Sequence, residues 1–294
     1  MSAKLISGTE IASTIREELT ERVSTLKSQG LVPGLATVLV GEDPASKLYV
    51  GMKKKAAEEV GMHSRQLIMK DATTEAELLA LIDDLNADPE IHGILVQLPL
   101  PDQIDDRKVL LAIAPEKDVD GFHPFNVGAL YTGDREVLAP CTPRGVIEML
   151  LRTDNHPRGK HCVIIGRSNI VGRPMASLLL MYDGTVTICH SRTTDLAAIT
   201  READILIAAV GRPGMVTADM VKPGAVVIDV GTTRVEAPDR PRGFRVAGDV
   251  DFDAVSEVAS WITPVPGGVG PMTIAILLQN TLEAAERLQG RSDH

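Results

Sequence analysis

Apolar positions along the chain fall into two kinds of pattern. Between Thr9 and Ser28, residues Ile11, Ile15, Leu19, Val23 and Leu26 recur at three- and four-residue intervals, which predicts a helix with one buried face. Gly34-Leu-Ala-Thr-Val-Leu-Val40 is a nearly unbroken apolar run between glycines, which predicts a strand covered on both faces. Asp43-Pro44 then offers an N-cap and a proline at the first helical position, and Gly61 stands where a C-terminal cap belongs. Glu75 to Asn86 predicts a further helix. Gly93-Ile-Leu-Val-Gln-Leu98 predicts a second buried strand, stopped by Pro99 and Pro101.

The alternation continues beyond Gly159. Strands are predicted over 160–165, 185–189, 205–210 and 225–230, with a helix from Pro174 to Met181. Short strands alternating with helices imply an α/β fold with parallel sheets and right-handed crossovers. Residues 145–270 are expected to form a doubly wound, Rossmann-like nucleotide domain. The helix from Met272 to Leu288 has no strand after it and is expected to pack back onto the N-terminal α/β domain. The expected organisation is therefore a discontinuous catalytic domain, 1–144 plus 271–294, with a cleft between it and the nucleotide domain. The polar tail Gly290–His294 reads as a frayed end.

Composition narrows the function class. Forty acidic residues against thirty basic ones give a net charge of −10, which argues against a nucleic-acid partner. No run approaches the ~20 apolar residues of a membrane helix, so no membrane partner is expected. The three cysteines, Cys141, Cys162 and Cys189, show neither a disulfide framework nor metal-ligand spacing. A cytoplasmic protein without a metal is expected.

The strand ending at Ile165 runs into Gly166-Arg-Ser-Asn-Ile-Val-Gly172-Arg-Pro174. Gly166 permits a tight turn, small Ser168 lets a phosphate approach the backbone, and the helix opening near Gly172 presents its positive end. The alternative is a plain structural βα turn. The next strand ends Cys189-His-Ser-Arg-Thr193, with no carboxylate for a ribose 2′-hydroxyl. Ser191, Arg192 and Arg173 suit a 2′-phosphate instead, so the cofactor expected is NADP; the rival reading leaves these arginines simply solvated.

Tyr49 and Lys53 lie four apart and share a helix face, while Lys54 and Lys55 rotate ~100° and ~200° away. Spacing thus singles out Lys53, and two neighbouring cations would favour its neutral, basic form. A basic, solvated helix is the competing reading. Gln97 sits in an apolar run and must be hydrogen-bonded if buried. Asp120, in Lys117-Asp-Val-Asp-Gly121, is either an acceptor for a heterocycle or an Asx-turn residue. Pro264-Val-Pro-Gly-Gly-Val-Gly-Pro271 precedes the last helix and reads as a functional loop.

Tyr49-Val-x-x-Lys53-x-Lys55-Ala56, Gly93-Ile-Leu-Val-Gln-Leu-Pro-Leu-Pro101, Pro115-Glu-Lys-Asp-Val-Asp-Gly-Phe-His-Pro124, the Gly166–Pro174 turn and Pro264–Thr273 together resemble the bifunctional methylenetetrahydrofolate dehydrogenase/methenyltetrahydrofolate cyclohydrolase family. The resemblance implies oxidation of 5,10-methylenetetrahydrofolate with NADP+, then hydrolysis to 10-formyltetrahydrofolate. It implies that Lys53 is the principal catalytic residue, tuned by Gln97, and that Tyr49 stacks on the aminobenzoate ring. Asp120 would anchor the pterin, with Leu98, Pro266, Gly267 and Gly268 lining the folate site. Gly166, Arg167, Ser168, Gly172, Arg173, Ser191 and Arg192 would hold the nucleotide. Thr232 and Thr233 stand where family members often carry Ile-Asn, leaving Thr232 a backbone contact to the nicotinamide. A homodimer through the nucleotide domain is implied as well. Three other readings stand beside it: a dehydrogenase without hydrolase activity, a shikimate or amino-acid dehydrogenase, and a non-catalytic NADP-binding protein.

Overall fold

The computed structural model describes residues 2–238 and 243–292. Its first half runs β1 (Lys4–Leu5), α1 (Gly8–Ser28), β2 (Gly34–Val40), α2 (Pro44–Glu59), β3 (His63–Met69), α3 (Glu75–Ala87), β4 (Gly93–Val96), α4 (Asp106–Ala112), α5 (Pro124–Tyr131) and α6 (Cys141–Arg152). The second half runs β5 (His161–Ile165), α7 (Gly172–Met181), β6 (Thr185–Cys189), α8 (Leu196–Thr200), β7 (Ile205–Ala208), β8 (Val226–Asp229), β9 (Thr233–Glu236), β10 (Phe244–Ala247), α9 (Phe252–Ser256), β11 (Trp261–Ile262) and α10 (Val269–Ser292). No helix among the described residues is long and apolar enough to cross a membrane. The tail expected to fray is helical as far as Ser292, and residues 293 and 294 lie outside the described residues.

Two compact units result, residues 1–12 with 142–273, and residues 13–141 with 274–294. The first twelve residues, expected in the catalytic domain, join the nucleotide unit because β1 pairs in parallel with β11, Lys4 opposite Trp261. Residues 142–144 and 271–273 move with them. A two-residue strand carries no periodicity, so its partner 257 positions away is invisible in the sequence.

The first unit holds a six-stranded sheet in the order β1-β11-β8-β7-β5-β6, every pairing parallel. From β5 the chain goes outward to β6 and then back past β5 to β7. The sheet therefore has its switch point at the carboxyl ends of β5 and β7, where doubly wound folds open a ligand crevice. Val163, Ile165, Leu206, Ala208, Val227 and Ile262 fill the core beneath it.

The second unit is built on a parallel three-stranded sheet, β3-β2-β4. All seven residues of β2 are buried, as an unbroken apolar run requires. Ala36, Val38, Val40, Ile94 and Val96 pack against Leu78, Ile82 and Leu85 of α3. That helix opens with a capping box, Thr74 with Glu77, and its last carbonyls are closed by a buried lysine. Lys117 Nζ donates to Leu85 O, Asn86 O and Asp88 O at 3.2, 2.8 and 2.8 Å. Asp43 caps α2 through Ser46 N at 2.7 Å, and Gly61 follows it at φ +84°. The last helix docks here through buried Asn280, whose Nδ2 donates to Val119 O at 2.7 Å and Ala139 O at 3.0 Å.

Candidate active site and nucleotide site

Lys53 is only 9% exposed, whereas Lys54 and Lys55 reach out to Glu58 and Glu59 at 3.8 and 3.7 Å. Helical rotation decides this: only position 53 shares Tyr49's face and turns toward the sheet. Each of those two neighbouring cations is paired with a carboxylate one turn on. The charge that Lys53 does meet is Asp120.

Gln97 lies just past β4, which stops at Val96, two residues earlier than the apolar run suggests. Its backbone N–H still donates to Val38 O at 2.8 Å, so it sits at the carboxyl end of the sheet. Its Nε2 donates to Leu98 O at 2.8 Å, which commits the other side-chain atom, Oε1, to accept from Lys53 Nζ at 3.0 Å. Leu98 therefore acts through its carbonyl, immediately before a cis bond to Pro99.

Burial pushes the Asp120 carboxyl above the usual carboxylate range; the positive charge of Lys53 pulls it back and Asp118 adds to the rise. Tyr49 is 49% exposed, and Leu48 and Met52 beside it are likewise open. One helix thus offers an apolar strip for a flat ring next to a buried amine. Lys53, Gln97 and Leu98 are joined by direct hydrogen bonds, with Asp120 in electrostatic range; Pro266, Gly267 and Gly268 belong to the other compact unit.

In that unit the turn after β5 is forced by close approach. Gly166 has φ +130°, and a Cβ there would lie 2.2 Å from Ala209 O; one on Gly172 would lie 2.2 Å from Gly166 O. This is the tight cradle a dinucleotide phosphate needs. The helix amides, though, are partly engaged. Ser168 Oγ accepts from Val171 N at 3.2 Å and Gly172 N at 3.5 Å, and Ser168 O accepts from Arg173 N at 3.1 Å. What the turn presents outward is the exposed Arg167 and Ser168, Arg173 and the end of the α7 dipole.

After β6, His190 N donates to Thr193 Oγ1 at 2.9 Å and Arg192 N to His190 Nδ1 at 3.1 Å. These bonds fold the segment into a closed loop with Ser191 and Arg192 exposed. Thr232 is exposed ahead of β9. The Pro266–Gly268 segment is tied to the start of α1 by Thr9 N donating to Gly267 O at 3.0 Å, and α10 begins at Val269, so Pro271 falls inside its first turn.

The sequence profile of the NAD(P)-binding domain of the tetrahydrofolate dehydrogenase/cyclohydrolase family matches residues 140–289, and that of its catalytic domain matches residues 6–120. The bifunctional protein FolD of Moorella thermoacetica is 58% identical over 98% of this chain and its own full length. The chain belongs to the tetrahydrofolate dehydrogenase/cyclohydrolase family. Among solved structures, the FolD dehydrogenase/cyclohydrolase of Campylobacter jejuni superposes with TM-score 0.93 at 49% identity, covering 98% of this chain and 100% of its own. The Trypanosoma brucei enzyme, complexed with NADP cofactor and inhibitor, superposes with TM-score 0.94 at 42% identity, covering 98% and 99%.

As a family member the chain is an enzyme with two activities. It oxidises 5,10-methylenetetrahydrofolate to the methenyl form with NADP+ and hydrolyses the product to 10-formyltetrahydrofolate. The readings as a shikimate dehydrogenase, a lone dehydrogenase or a non-catalytic binder fall with that assignment.

Three carboxylates escaped sequence reasoning. Asp118 is buried, and its oxygens accept from Gly121 N at 3.1 Å, His123 N at 2.7 Å and Asn126 Nδ2 at 2.9 Å. The turn-forming role weighed for Asp120 belongs to Asp118, whereas the Asp120 carboxyl meets the Lys53 charge and shares a hydrogen bond with Cys141. Asp229 and Asp249 are almost wholly buried in the nucleotide unit. The available signal was a carboxylate beside a glycine, Asp229-Val-Gly231 and Gly248-Asp249, but a flexible polar turn reads the same way.

Proposed function

We propose that Lys53 handles the proton in this enzyme's chemistry, with Gln97 fixing its direction, Tyr49 stacking on the substrate's aminobenzoate ring and Asp120 anchoring the pterin. The observation that carries the reading is the 3.0 Å bond between Lys53 Nζ and Gln97 Oε1, which holds a buried amine next to an exposed aromatic ring. NADP+, when bound, supplies the acceptor for the hydride that leaves the methylene carbon. The methenyl cation left behind is electrophilic and needs only water. Lys53 takes a proton as water adds to that carbon and returns it to N5 as the C–N5 bond breaks, while the adduct's hydroxyl gives its proton to solvent, leaving the 10-formyl product. Raised by burial, the Asp120 carboxyl can hold a proton or share one with the pterin amino group.

In the other unit, Gly166, Arg167, Ser168 and Gly172 shape the pyrophosphate turn, and Ser191, Arg192 and Arg173 take the 2′-phosphate. Thr232 and the Pro266–Gly268 loop flank the nicotinamide. A homodimer is proposed through the nucleotide unit, on the free edge of β6, where Ile188 and, on α7, Leu180 are exposed. A mass measurement in solution giving a monomer at micromolar concentration would refute that pairing. The protein is expected to work in the cytoplasm, as its three buried thiols, none in a disulfide, suit a reducing compartment.

The catalytic assignment is tested with Lys53→Met. Methenyl hydrolysis should fall by about 10²–10⁴-fold while NADP binding is unchanged. Hydrolysis at the wild-type rate removes Lys53 from the mechanism.

A further inference from the structure

The carboxyl ends of β7 and β8 are joined by a chain of buried carboxylates that the reaction does not itself use. Asp249 Oδ2 accepts from Val210 N at 2.6 Å and Gly211 N at 3.0 Å, and its Oδ1 accepts from Arg212 N at 2.7 Å. Asp249 is in turn held by Asp229: Asp229 Oδ1 accepts from Asp249 N and Gly231 N, both at 2.9 Å, and Oδ2 accepts from Val250 N at 2.9 Å. Thr263 Oγ1 anchors the other end by accepting from Asp229 N at 2.7 Å. Six backbone amides therefore converge on two carboxylates that are 3% and 0% exposed.

The surrounding backbone is shaped to admit them. A Cβ on Gly248 would lie 1.9 Å from Asp229 Oδ2, and one on Gly231 would lie 2.5 Å from Asp249 Oδ1. Burying two carboxylates costs several kcal/mol unless their oxygens are saturated, so a network this complete indicates a geometry that must be held. Its two ends mark what is held. One is the 210–212 loop, whose preceding residue, Ala209, presses its carbonyl against Gly166 in the phosphate turn. The other is Gly231, next to Thr232.

We infer that Asp249 is a positioning residue for the dinucleotide, setting the spacing between the phosphate turn at Gly166 and the segment at Gly231–Thr232 through the 210–212 loop. It touches no reacting atom; it acts through the amides it gathers. The inference rests on the reading that NADP lies along this crevice.

The test compares steady-state kinetics of the full-length enzyme and four variants, reading KM for NADP in the dehydrogenase assay. Methenyl hydrolysis, which consumes no nucleotide, is measured alongside. Asp249→Asn keeps the shape but turns a donor toward the gathered amides; KM for NADP should rise about tenfold with hydrolysis within about twofold of wild type. Arg212→Pro and Arg212→Ala both lose the exposed arginine side chain, but only proline removes the N–H that Asp249 accepts. The proline variant should show a KM about threefold above the alanine variant. Equal values in that pair overturn the inference, whether or not Asp249→Asn folds. So does a folded Asp249→Asn with an unchanged KM, or one that loses both activities in parallel. Arg192→Ala separates the two layers: a raised KM there with Asp249→Asn unmoved overturns the role of Asp249 alone, and an unmoved KM in both overturns the nucleotide placement and the inference with it.

Discussion

The side-chain amide of Gln97 is locked between Leu98 O and Lys53 Nζ, so the amine has one neutral acceptor at 3.0 Å in a fixed direction. A neutral acceptor orients Lys53 without adding a negative charge that would hold its proton.

Gln97→Glu makes that acceptor a charged one and also removes the Nε2 donor to Leu98 O. A carboxylate beside Lys53 stabilises the ammonium, so the ascending, low-pH limb of the hydrolysis rate should move to higher pH and kcat at neutral pH should fall by about 10²-fold. Gln97→Leu should lose rate without moving the limb. A pH–rate profile of each variant checks this, and superimposable profiles for the two would contradict it.

Asp118→Ala removes the acceptor for three donors in a buried turn and should destabilise the fold by about 3 kcal/mol. Because the same turn presents Asp120, KM for the folate substrate should rise in the fraction that stays folded. Urea unfolding and substrate kinetics on one preparation measure both; a loss below about 0.5 kcal/mol would show that the turn stands without it.

Selectivity between NADP and NAD should reside in the loop after β6. Ser191→Ala and Arg192→Ala are each expected to lower kcat/KM for NADP by about tenfold with little change for NAD. The two values are read from parallel titrations, and equal losses with both cofactors would place the 2′-phosphate elsewhere.

Burial pushes the Asp229 carboxyl up to about 6, against the three amides that stabilise its charge. The native state therefore holds this proton more tightly than the unfolded chain does. Its contribution to stability is fully present below about pH 4, declines as pH rises toward about 6, and is flat above; the whole change is about 3 kcal/mol. Carboxyl carbon-13 resonances give the titration directly. A midpoint near 4 for Asp229 would remove the predicted slope.

The sequence alone determined the elements with strong local signals. The apolar run of β2 could only be a strand buried on both faces, Asp43-Pro44 and Gly61 bracketed α2 by their backbone preferences, and helical rotation set Lys53 apart from its neighbours. Family motifs then carried the chemistry. Tertiary structure decided what has no local signature: that polar, half-exposed β3 is an edge strand, that β1 belongs beside β11, and that Asp118 builds the turn while Asp120 meets Lys53 and Cys141. The physical reason is the same in each case. Periodicity and capping are properties of a few consecutive residues, whereas the partner of a buried carboxylate or a lone strand is fixed only when distant backbone amides close around it.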